Sequence, residues 1–452
     1  MTAHAKRAAD FISDESYAHW HDQALWYVRQ NRDNASKSLP EWESLRQAAD
    51  TIKAHTLEHL SWYLKRFETE AKKNGIEVYW ANDAEEHNRI VSRLLDEQHA
   101  KKVVKSKSML TEECGLNPYL EACGIEVTDT DLGERIVQLA GDHPSHIVLP
   151  AIHLKKEEVS SIFTEHLHTE EGNADPRYLT HAARQHLRQK FLGADAAITG
   201  VNFALADKGT IVICTNEGNA DLGTALPDLH IASMGIEKLL PSGKALGVFT
   251  RVLARSATGQ AITTYTSHFR KPKPGGRLCI VIVDNGRSAL LASKHHKALQ
   301  CIRCGACMNT CPVYRRSGGH SYGTVVPGPI GSVLAGARDI ERFSTLPFAC
   351  SLCASCDAVC PVRIDLHDQL YTERQAAIAT TAYRGKQRSL KFMAWIMQRP
   401  KRYRTLMKIV RILLTILPRS LVYNRFNTWG KEREVPIPAK KPFREMYREQ
   451  KR

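Results

Sequence analysis

The chain has 452 residues, of which 43% are hydrophobic, and this is enough for two or three packed domains. No stretch approaches the ~20 uninterrupted apolar residues of a membrane span. The N-terminus lacks the apolar core of a signal peptide, so the default compartment is the cytosol. The net charge of +15 is uneven, because residues 384–452 hold 20 Lys and Arg against 4 Asp and Glu.

The first part of the chain is predicted to be helical, and the next part to alternate between strands and helices. Residues 1–75 form a helical segment that includes a long helix over residues 40–74, ended by Gly75. Residues 76–293 form an α/β domain around a mainly parallel sheet. We predict strands at residues 76–80, 103–104, 125–129, 146–150, 196–200, 209–215, 229–235, 262–269 and 278–286. Helices are expected at residues 83–97, 109–122, 132–140, 154–168 and 177–192.

Polar side chains follow several of these strands. Ligand sites in α/β sheets lie at the carboxyl ends of the strands, and two lysines beside a helix N-terminus can hold an anion. Helix caps and loop carboxylates that bind local N–H groups are the structural alternative. No pair forms a nucleophile and its base, and no Rossmann or P-loop motif occurs, so no catalytic residue is predicted. The candidate ligand site consists of Lys105, Lys107, Asn202, Glu217, Asn219, His230 and Lys238.

Eight of the twelve cysteines fall between positions 301 and 360. They form two runs of the pattern C-x2-C-x2-C-x3-C-P, which is the bacterial ferredoxin pattern for [4Fe–4S] clusters. In two-cluster ferredoxins the fourth cysteine of each run binds the other cluster. The sequence therefore predicts two [4Fe–4S] clusters, one held by Cys301, Cys304, Cys307 and Cys360 and the other by Cys311, Cys350, Cys353 and Cys356.

Structural zinc is the alternative for these cysteines. Zinc sites usually pair two cysteines with two more ligands a dozen or more residues away, and two complete four-cysteine runs do not fit that pattern. The remaining cysteines are expected to be core residues. A Gly-rich insert separates Cys311 from Cys350, and residues 331–343 look helical. Residues 294–383 are therefore predicted to form a mainly helical ferredoxin domain, whose insert is either a partner-docking loop or a packed connection.

Residues 384–452 are predicted to form a basic helical tail. Arg402, Arg404 and Lys408 lie among apolar residues of one short helix that ends before Pro418. Such a helix can lie on an anionic membrane, dock on a partner subunit or pack on its own domain. We predict no nucleic-acid binding, because the sequence contains no recognition module.

Long stretches of the chain resemble the lactate-utilisation iron–sulfur proteins, the B subunits of a three-component L-lactate oxidation system of bacteria. Besides the cluster region and its insert, they are residues 105–113, 130–140, 144–153, 200–241 and 429–445. The resemblance implies a LUD-type α/β domain, similar in fold to CoA transferases and sugar-phosphate isomerases. It also implies two partner subunits, one a second iron–sulfur protein and the other a second LUD-type protein.

The resemblance further implies an electron-transfer subunit of a complex that oxidises L-lactate to pyruvate. It is expected in the cytoplasm, with peripheral contact to the inner membrane through the basic tail as an alternative. The same role for another 2-hydroxy acid, such as glycolate, is a second reading. A LUD-domain enzyme acting on a small acid or thioester, with regulatory clusters, is a third.

Overall fold

A computed structural model describes residues 3–380, 384–418, 423, 434, 439 and 441–451. The chain divides into two compact units, residues 1–377 and residues 378–452. Within the described ranges we find no helix whose length and hydropathy would suffice to cross a bilayer.

Four helices precede the first strand. The expected single helix over residues 40–74 is wrong in one respect, because it is divided at His59, where φ is −107° and ψ is 28°. The Asp14 side chain caps the second helix by accepting the N–H of Tyr17. The helices are α1 (Ala3–Ile12), α2 (Glu15–Lys37), α3 (Trp42–Glu58) and α4 (Leu60–Lys73).

Ten strands of the described residues form two sheets. They are β1 (Glu77–Ala81), β2 (Lys102–Lys105), β3 (Glu126–Asp129), β4 (Ala196–Gly200), β5 (Phe203–Leu205), β6 (Thr210–Thr215), β7 (Leu229–Gly235), β8 (Leu239–Leu240), β9 (Tyr265–Phe269) and β10 (Arg277–Val283). The larger sheet is parallel throughout, in the order β1-β10-β7-β4-β2-β3, and the smaller has the order β8-β5-β6-β9. The prediction of an α/β domain around a mainly parallel sheet is confirmed.

The strand expected at residues 146–150 is wrong. The Nδ1 atom of His146 accepts the backbone N–H groups of Val148 and Leu149, both at 3.0 Å. These local bonds curl the segment, so its backbone groups do not pair with a neighbouring strand.

Nine helices of the described residues accompany the sheets. The helix expected over residues 109–122 is two helices, because Gly115 adopts a left-handed φ of +63° between them. They are α5 (Ala84–Glu97), α6 (Met109–Glu113), α7 (Leu116–Ala122), α8 (Leu132–Leu139), α9 (Lys156–Leu167), α10 (Pro176–Leu192), α11 (Asn219–Ala225), α12 (Gly243–Ala257) and α13 (Arg287–Leu291).

The cysteine-rich region is built from short helices. They are α14 (Ala306–Thr310), α15 (Pro312–Ser317), α16 (Gly328–Arg338), α17 (Ser355–Val359) and α18 (Leu366–Ala379). The helix expected at residues 331–343 begins and ends earlier, as α16. The insert is tightly packed, since a Cβ atom added to Gly319 would lie 1.8 Å from the Ser145 carbonyl oxygen. Tyr322 in the same insert is fully buried, which favours the packed connection over a free docking loop.

The second unit contains α19 (Arg384–Met397), α20 (Pro400–Ile416) and α21 (Phe443–Gln450). Helices α19 and α20 contact each other, and the Arg402 guanidinium lies 3.8 Å from the centroid of the Trp395 ring. No described side chain of α20 is buried, and Ile409, Ile412 and Ile416 are exposed. The apolar side expected of this cationic helix is therefore uncovered within its own unit.

Candidate iron–sulfur centre and the adjoining cavity

The two cysteine loops share one backbone conformation. In the first loop Arg303 and Gly305 have φ of +61° and +75°, and in the second Leu352 and Ala354, at the same positions, have +56° and +57°. Residues other than glycine rarely adopt this region, because Cβ approaches the backbone there. Its repetition at matching positions indicates that each loop is curled so that its sulfurs face a common centre.

Backbone N–H groups donate to matching sulfurs in the two loops. The N–H of Arg303 lies 3.4 Å from Cys301 Sγ, and the N–H of Leu352 lies 3.3 Å from Cys350 Sγ. The fourth cysteines, Cys311 and Cys360, also accept backbone N–H groups, at 3.5 and 3.3 Å. Hydrogen bonds of this kind stabilise thiolate charge and are among the factors that set the potential of a bound cluster.

The cysteines fall into two groups in space. Cys301, Cys304, Cys307 and Cys360, the first cysteine set, line one small apolar cavity. Cys311, Cys350, Cys353 and Cys356 form the second cysteine set. Burial, with smaller contributions from Cys350 and Cys353, raises the pKa of the Cys311 thiol to about 11. Cys360 therefore lies with three cysteines of the first run, and Cys311 lies near Cys350 and Cys353 of the second run. The exchange of cluster ligands stays a prediction.

The spacing of the sulfurs is too wide for a single metal ion. All eight of these cysteines are described, and no three of their sulfurs lie within 4.8 Å of one another. Four sulfurs around one zinc ion, each at about 2.3 Å, would be only about 3.8 Å apart. The wider spacing fits a larger group such as an iron–sulfur cluster.

Arginines from distant helices hold the carbonyl groups of the cysteine loops. The Arg46 Nε–H of α3 donates to the Cys360 carbonyl at 2.9 Å, and Arg32 of α2 donates to the Val359 carbonyl at 3.1 Å. Arg374 of α18 donates to the Pro347 carbonyl at 2.7 Å. Their positive charges favour the thiolate form of the nearby cysteines. The sequence analysis did not identify these arginines, because no local pattern links them to the cysteines.

The two sets differ in exposure. Cys304, Cys307 and Cys360 are buried, whereas Cys353 of the second set is exposed. The second set therefore approaches the surface of its unit and the first set lies inside it.

A cavity of about 310 Å³ lies at the carboxyl ends of β2, β4 and β7. We call it the strand-end cavity. The chain leads from β2 to β3 on one side and from β4 on to β7 on the other, so the cavity occupies the kind of crevice where α/β sheets bind ligands. Five of the residues predicted for a ligand site line it: Lys107, Asn202, Glu217, Asn219 and Lys238.

The other two predicted residues lie elsewhere. Lys105 is fully buried and pairs with Glu112 and Asp129, each at 2.8 Å, so its charge is already neutralised. His230 is a core residue whose Nε2 atom lies 2.8 Å from Thr199 Oγ1. Burial lowers the pKa of His230 to about 3, which leaves the ring neutral. His230 is therefore a core residue and does not line the strand-end cavity.

An ion-pair network that the sequence analysis missed joins the strand-end cavity to the first cysteine loop. Arg287 pairs with Glu237 at 2.8 Å and with Glu113 at 2.7 Å. Glu113 also pairs, at 3.1 Å, with Arg303, which lies between Cys301 and Cys304. Three of its members come from separate parts of the α/β domain, so spacing along the chain could not reveal the network.

The cavity and the first cysteine set share a wall. Cys304 and Ile147 line both the strand-end cavity and the small cavity of the first set. Whatever occupies the strand-end cavity therefore lies next to Cys304, a residue of the first set.

Three protein families match successive parts of the chain. The LUD domain family matches residues 64–287, the 4Fe-4S dicluster domain family matches residues 297–364, and the family described as lactate utilisation protein B, C-terminal, matches residues 379–452. The chain is 42% identical to lactate utilization protein B of Shouchella clausii, over 93% of this chain and 91% of that protein. It is 39% identical to lactate utilization protein B of Bacillus cytotoxicus, over 99% and 97%. The chain belongs to the lactate utilisation protein B family.

Membership of this family confirms the predicted resemblance, and the dicluster match makes the cysteine-rich region an iron–sulfur domain. A solved DUF162 family protein from Deinococcus radiodurans is 14% identical, with a TM-score of 0.28, over 50% of this chain and 98% of that one. This likeness is too weak to add to what the lactate utilisation protein B relatives establish.

Proposed function

We propose that the chain is the iron–sulfur electron-transfer subunit of a multi-subunit complex that oxidises L-lactate to pyruvate. The observation that carries the proposal is the sorting of eight cysteines into two adjacent sets of four. The names of the relatives, which specify lactate utilisation, support the substrate. The same subunit serving another 2-hydroxy acid, such as glycolate, is separated from this proposal by a substrate panel on the assembled complex.

Each cysteine set would hold one [4Fe–4S] cluster. Bound clusters would each accept and release one electron. The residues of this chain position the clusters. Besides burial, Cys307 and Cys311 both lie close enough to Cys356 to raise the pKa of its thiol, which supports two neighbouring cluster sites. Ile302, Ile330 and other apolar side chains exclude water from the first set, and Cys353 offers an edge of the second set to an outside protein.

The proposed complex contains two further subunits, a second iron–sulfur protein and a second LUD-type protein. Exposure of Cys353 supports electron exchange with the iron–sulfur partner at the second set. The α/β domain is proposed to share the arrangement of CoA transferases and sugar-phosphate isomerases. The basic tail, with its uncovered apolar side, supports peripheral contact with an anionic membrane.

The test is an assay of iron and acid-labile sulfide on the anaerobically purified full chain. We expect about eight irons and eight sulfides per chain, and an EPR spectrum of two interacting centres after reduction with dithionite. Replacing Cys304 or Cys353 by Ser should stop electron flow from lactate in the assembled complex. Cys123, which the sequence analysis expected in the core, is exposed and lies outside both sets. Cys123→Ser is therefore the control and should leave iron content and electron flow unchanged. Zinc without sulfide would overturn the proposal.

A second candidate is a LUD-domain enzyme on a small acid or thioester, with regulatory clusters. The strand-end cavity favours it, because Glu217 lies there as a carboxylate at the end of a strand. Under this candidate Glu217→Gln abolishes turnover and leaves the iron content intact. Under the first proposal Glu217→Gln leaves electron flow between the clusters unchanged.

A further inference from the structure

Four residues that line the strand-end cavity each carry a buried polar atom without a hydrogen-bond partner among the described residues. These atoms are Ser106 Oγ, Thr215 Oγ1, Asn219 Oδ1 and Arg303 Nη1. Ser106 and Asn219 are only 5% and 7% exposed. Buried polar groups in proteins are nearly always hydrogen bonded. Their convergence on one cavity indicates a polar occupant.

The cavity offers cationic groups to an anionic part of this occupant, beside the carboxylates of Asp131 and Glu217 in the same wall. Lys238 forms no ion pair or side-chain hydrogen bond with a described residue that the structure records, although it lies in the cavity wall. Lys107 donates to the Val148 carbonyl at 2.8 Å, which uses one of its three N–H donors. By contrast, Arg287 and Glu237 are already paired with each other. The two lysines and the unpartnered Nη1 atom of Arg303 are therefore the cationic groups available to a ligand among the described residues.

Asn219 adds a second requirement. Its side-chain nitrogen lies 3.4 Å from Thr130 Oγ1, which leaves the Oδ1 atom as a buried acceptor without a partner among the described residues. A carboxylate alone cannot satisfy an acceptor, because it has no proton to donate. The occupant should therefore carry a hydroxyl group as well as an anionic group. The volume of about 310 Å³ is at the small end of ligand pockets.

We propose that the strand-end cavity binds a small hydroxycarboxylic acid, with the carboxylate on Lys107 and Lys238 and the hydroxyl donating to Asn219. This deepens the proposed function, on which the choice of L-lactate as probe rests, by giving this chain its own site for the acid. Because Cys304 forms part of the cavity wall, the bound acid lies beside the first cysteine set.

The test is the binding of radiolabelled L-lactate to the full, cluster-loaded chain by anaerobic equilibrium dialysis. We expect saturable binding at one site per chain. Propionate, which lacks the hydroxyl, should compete about tenfold more weakly, the effect of losing roughly one good hydrogen bond. Lactate should also change the EPR spectrum of the dithionite-reduced chain, because the cavity adjoins Cys304.

Variants separate a ligand role from a structural one. Lys238→Met keeps the length of the side chain and should weaken lactate binding by about tenfold or more, since a charged contact is lost. Ser106→Ala should weaken binding while leaving the thermal unfolding temperature unchanged, because its hydroxyl has no partner among the described residues. Lys244→Met, at an exposed lysine in the first turn of α12, is the matched control and should bind lactate normally.

The outcomes distinguish this inference from the proposed function. If Lys238→Met and the control bind lactate equally, or if the wild-type chain shows no saturable binding, the inference is overturned. This holds even where dithionite reduces the clusters normally. If lactate binds but the chain holds no iron and sulfide, the inference stands and the electron-transfer proposal falls. If propionate bound as tightly as lactate, the hydroxyl group would not contribute to binding, and the proposed ligand class would be wrong.

Discussion

Glu217 is the carboxylate in the strand-end cavity whose charge is most sensitive to pH. Its Oε2 atom accepts the N–H of Leu132 at 3.1 Å. The residue keeps contact with solvent, yet the protein around its carboxylate, together with the negative charge of Asp131, raises its pKa to about 7. The Leu132 N–H and Lys107 oppose the rise but do not cancel it. Glu217 therefore changes charge near neutral pH.

This pKa gives a prediction for anion binding. A raised pKa means that Glu217 is protonated below about pH 7 and repels a bound anion above it. Lactate binding should therefore tighten several-fold between about pH 8 and about pH 6, a range over which lactate stays ionised. Glu217→Gln should flatten the profile.

Equilibrium dialysis at the two pH values measures this effect. Glu157→Gln, at an exposed carboxylate of α9, is the control and should keep the pH dependence of the wild type. A wild-type affinity that does not change with pH would contradict the prediction.

For single residues, the sequence predicted those positions that are marked by a short local pattern. Cysteine spacing singled out all eight clustered cysteines, and the ends of strands singled out Lys107, Glu217 and Lys238. Lys105 was misplaced because its partners, Glu112 and Asp129, come from a later helix and a neighbouring strand. Such a three-way contact depends on the assembled fold and leaves no periodic signal in the sequence.

At the scale of elements, close backbone contact fixes the insert between the cysteine runs. A Cβ atom added to Gly331 in α16 would lie 1.6 Å from the Val326 carbonyl oxygen, which a fixed backbone cannot accommodate. Gly331→Ala should therefore destabilise the protein and lower its iron content. Gly247→Ala is the matched control, because nothing lies within 4 Å of its Cβ position in α12.

We expect the control to gain about 0.5–1 kcal/mol from the helix propensity of alanine. Thermal unfolding and an iron assay on both variants measure the difference. A Gly331→Ala variant as stable as the wild type would show that the insert repacks easily.

Helix α20 gives a prediction about membranes. Its cations and its exposed Ile409, Ile412 and Ile416 are suited to an anionic lipid surface. Arg402 is a poor choice for substitution, since it also contacts Trp395 within the unit. Arg404→Glu with Lys408→Glu should abolish flotation with anionic liposomes, because each charge near such a surface contributes about 1 kcal/mol.

Neutral liposomes serve as the control and should bind neither protein. Unchanged flotation of the double variant would mean that the basic charges of α20 do not drive membrane contact, and docking on a partner subunit would then be favoured.

Alternating strands and helices predicted most elements, since each carries its own hydrophobic pattern. The pattern failed at residues 146–150, where HIVLP reads as a buried strand. There His146 binds two backbone N–H groups and overrides the strand propensity. The hydrophobic pattern also could not separate α6 from α7, since the apolar spacing continues through Gly115.

At the scale of the first unit, the largest surprise is where the N-terminal helices pack. The sequence predicted residues 1–75 as a segment of their own. In the structure His21 Nδ1 lies 2.9 Å from the Arg315 carbonyl oxygen, and Arg7 donates to the Ser321 carbonyl at 2.9 Å. These contacts join positions about three hundred residues apart. Neither α1 nor α2 contains a sequence motif from which its contact with the cysteine-rich region could be predicted.

The exchange of fourth cysteines has a consequence for how the protein is made. Cys360 lies with three cysteines from the run that begins at Cys301. A nascent chain that has just emerged through Cys311 can supply only three sulfurs to the first site, and it has none of the second run. Assembly of the second site must therefore wait until the ribosome has released residue 356, and assembly of the first site until it has released residue 360. By then the α/β domain is already available to fold, so iron delivery would follow synthesis of that domain and of both cysteine runs.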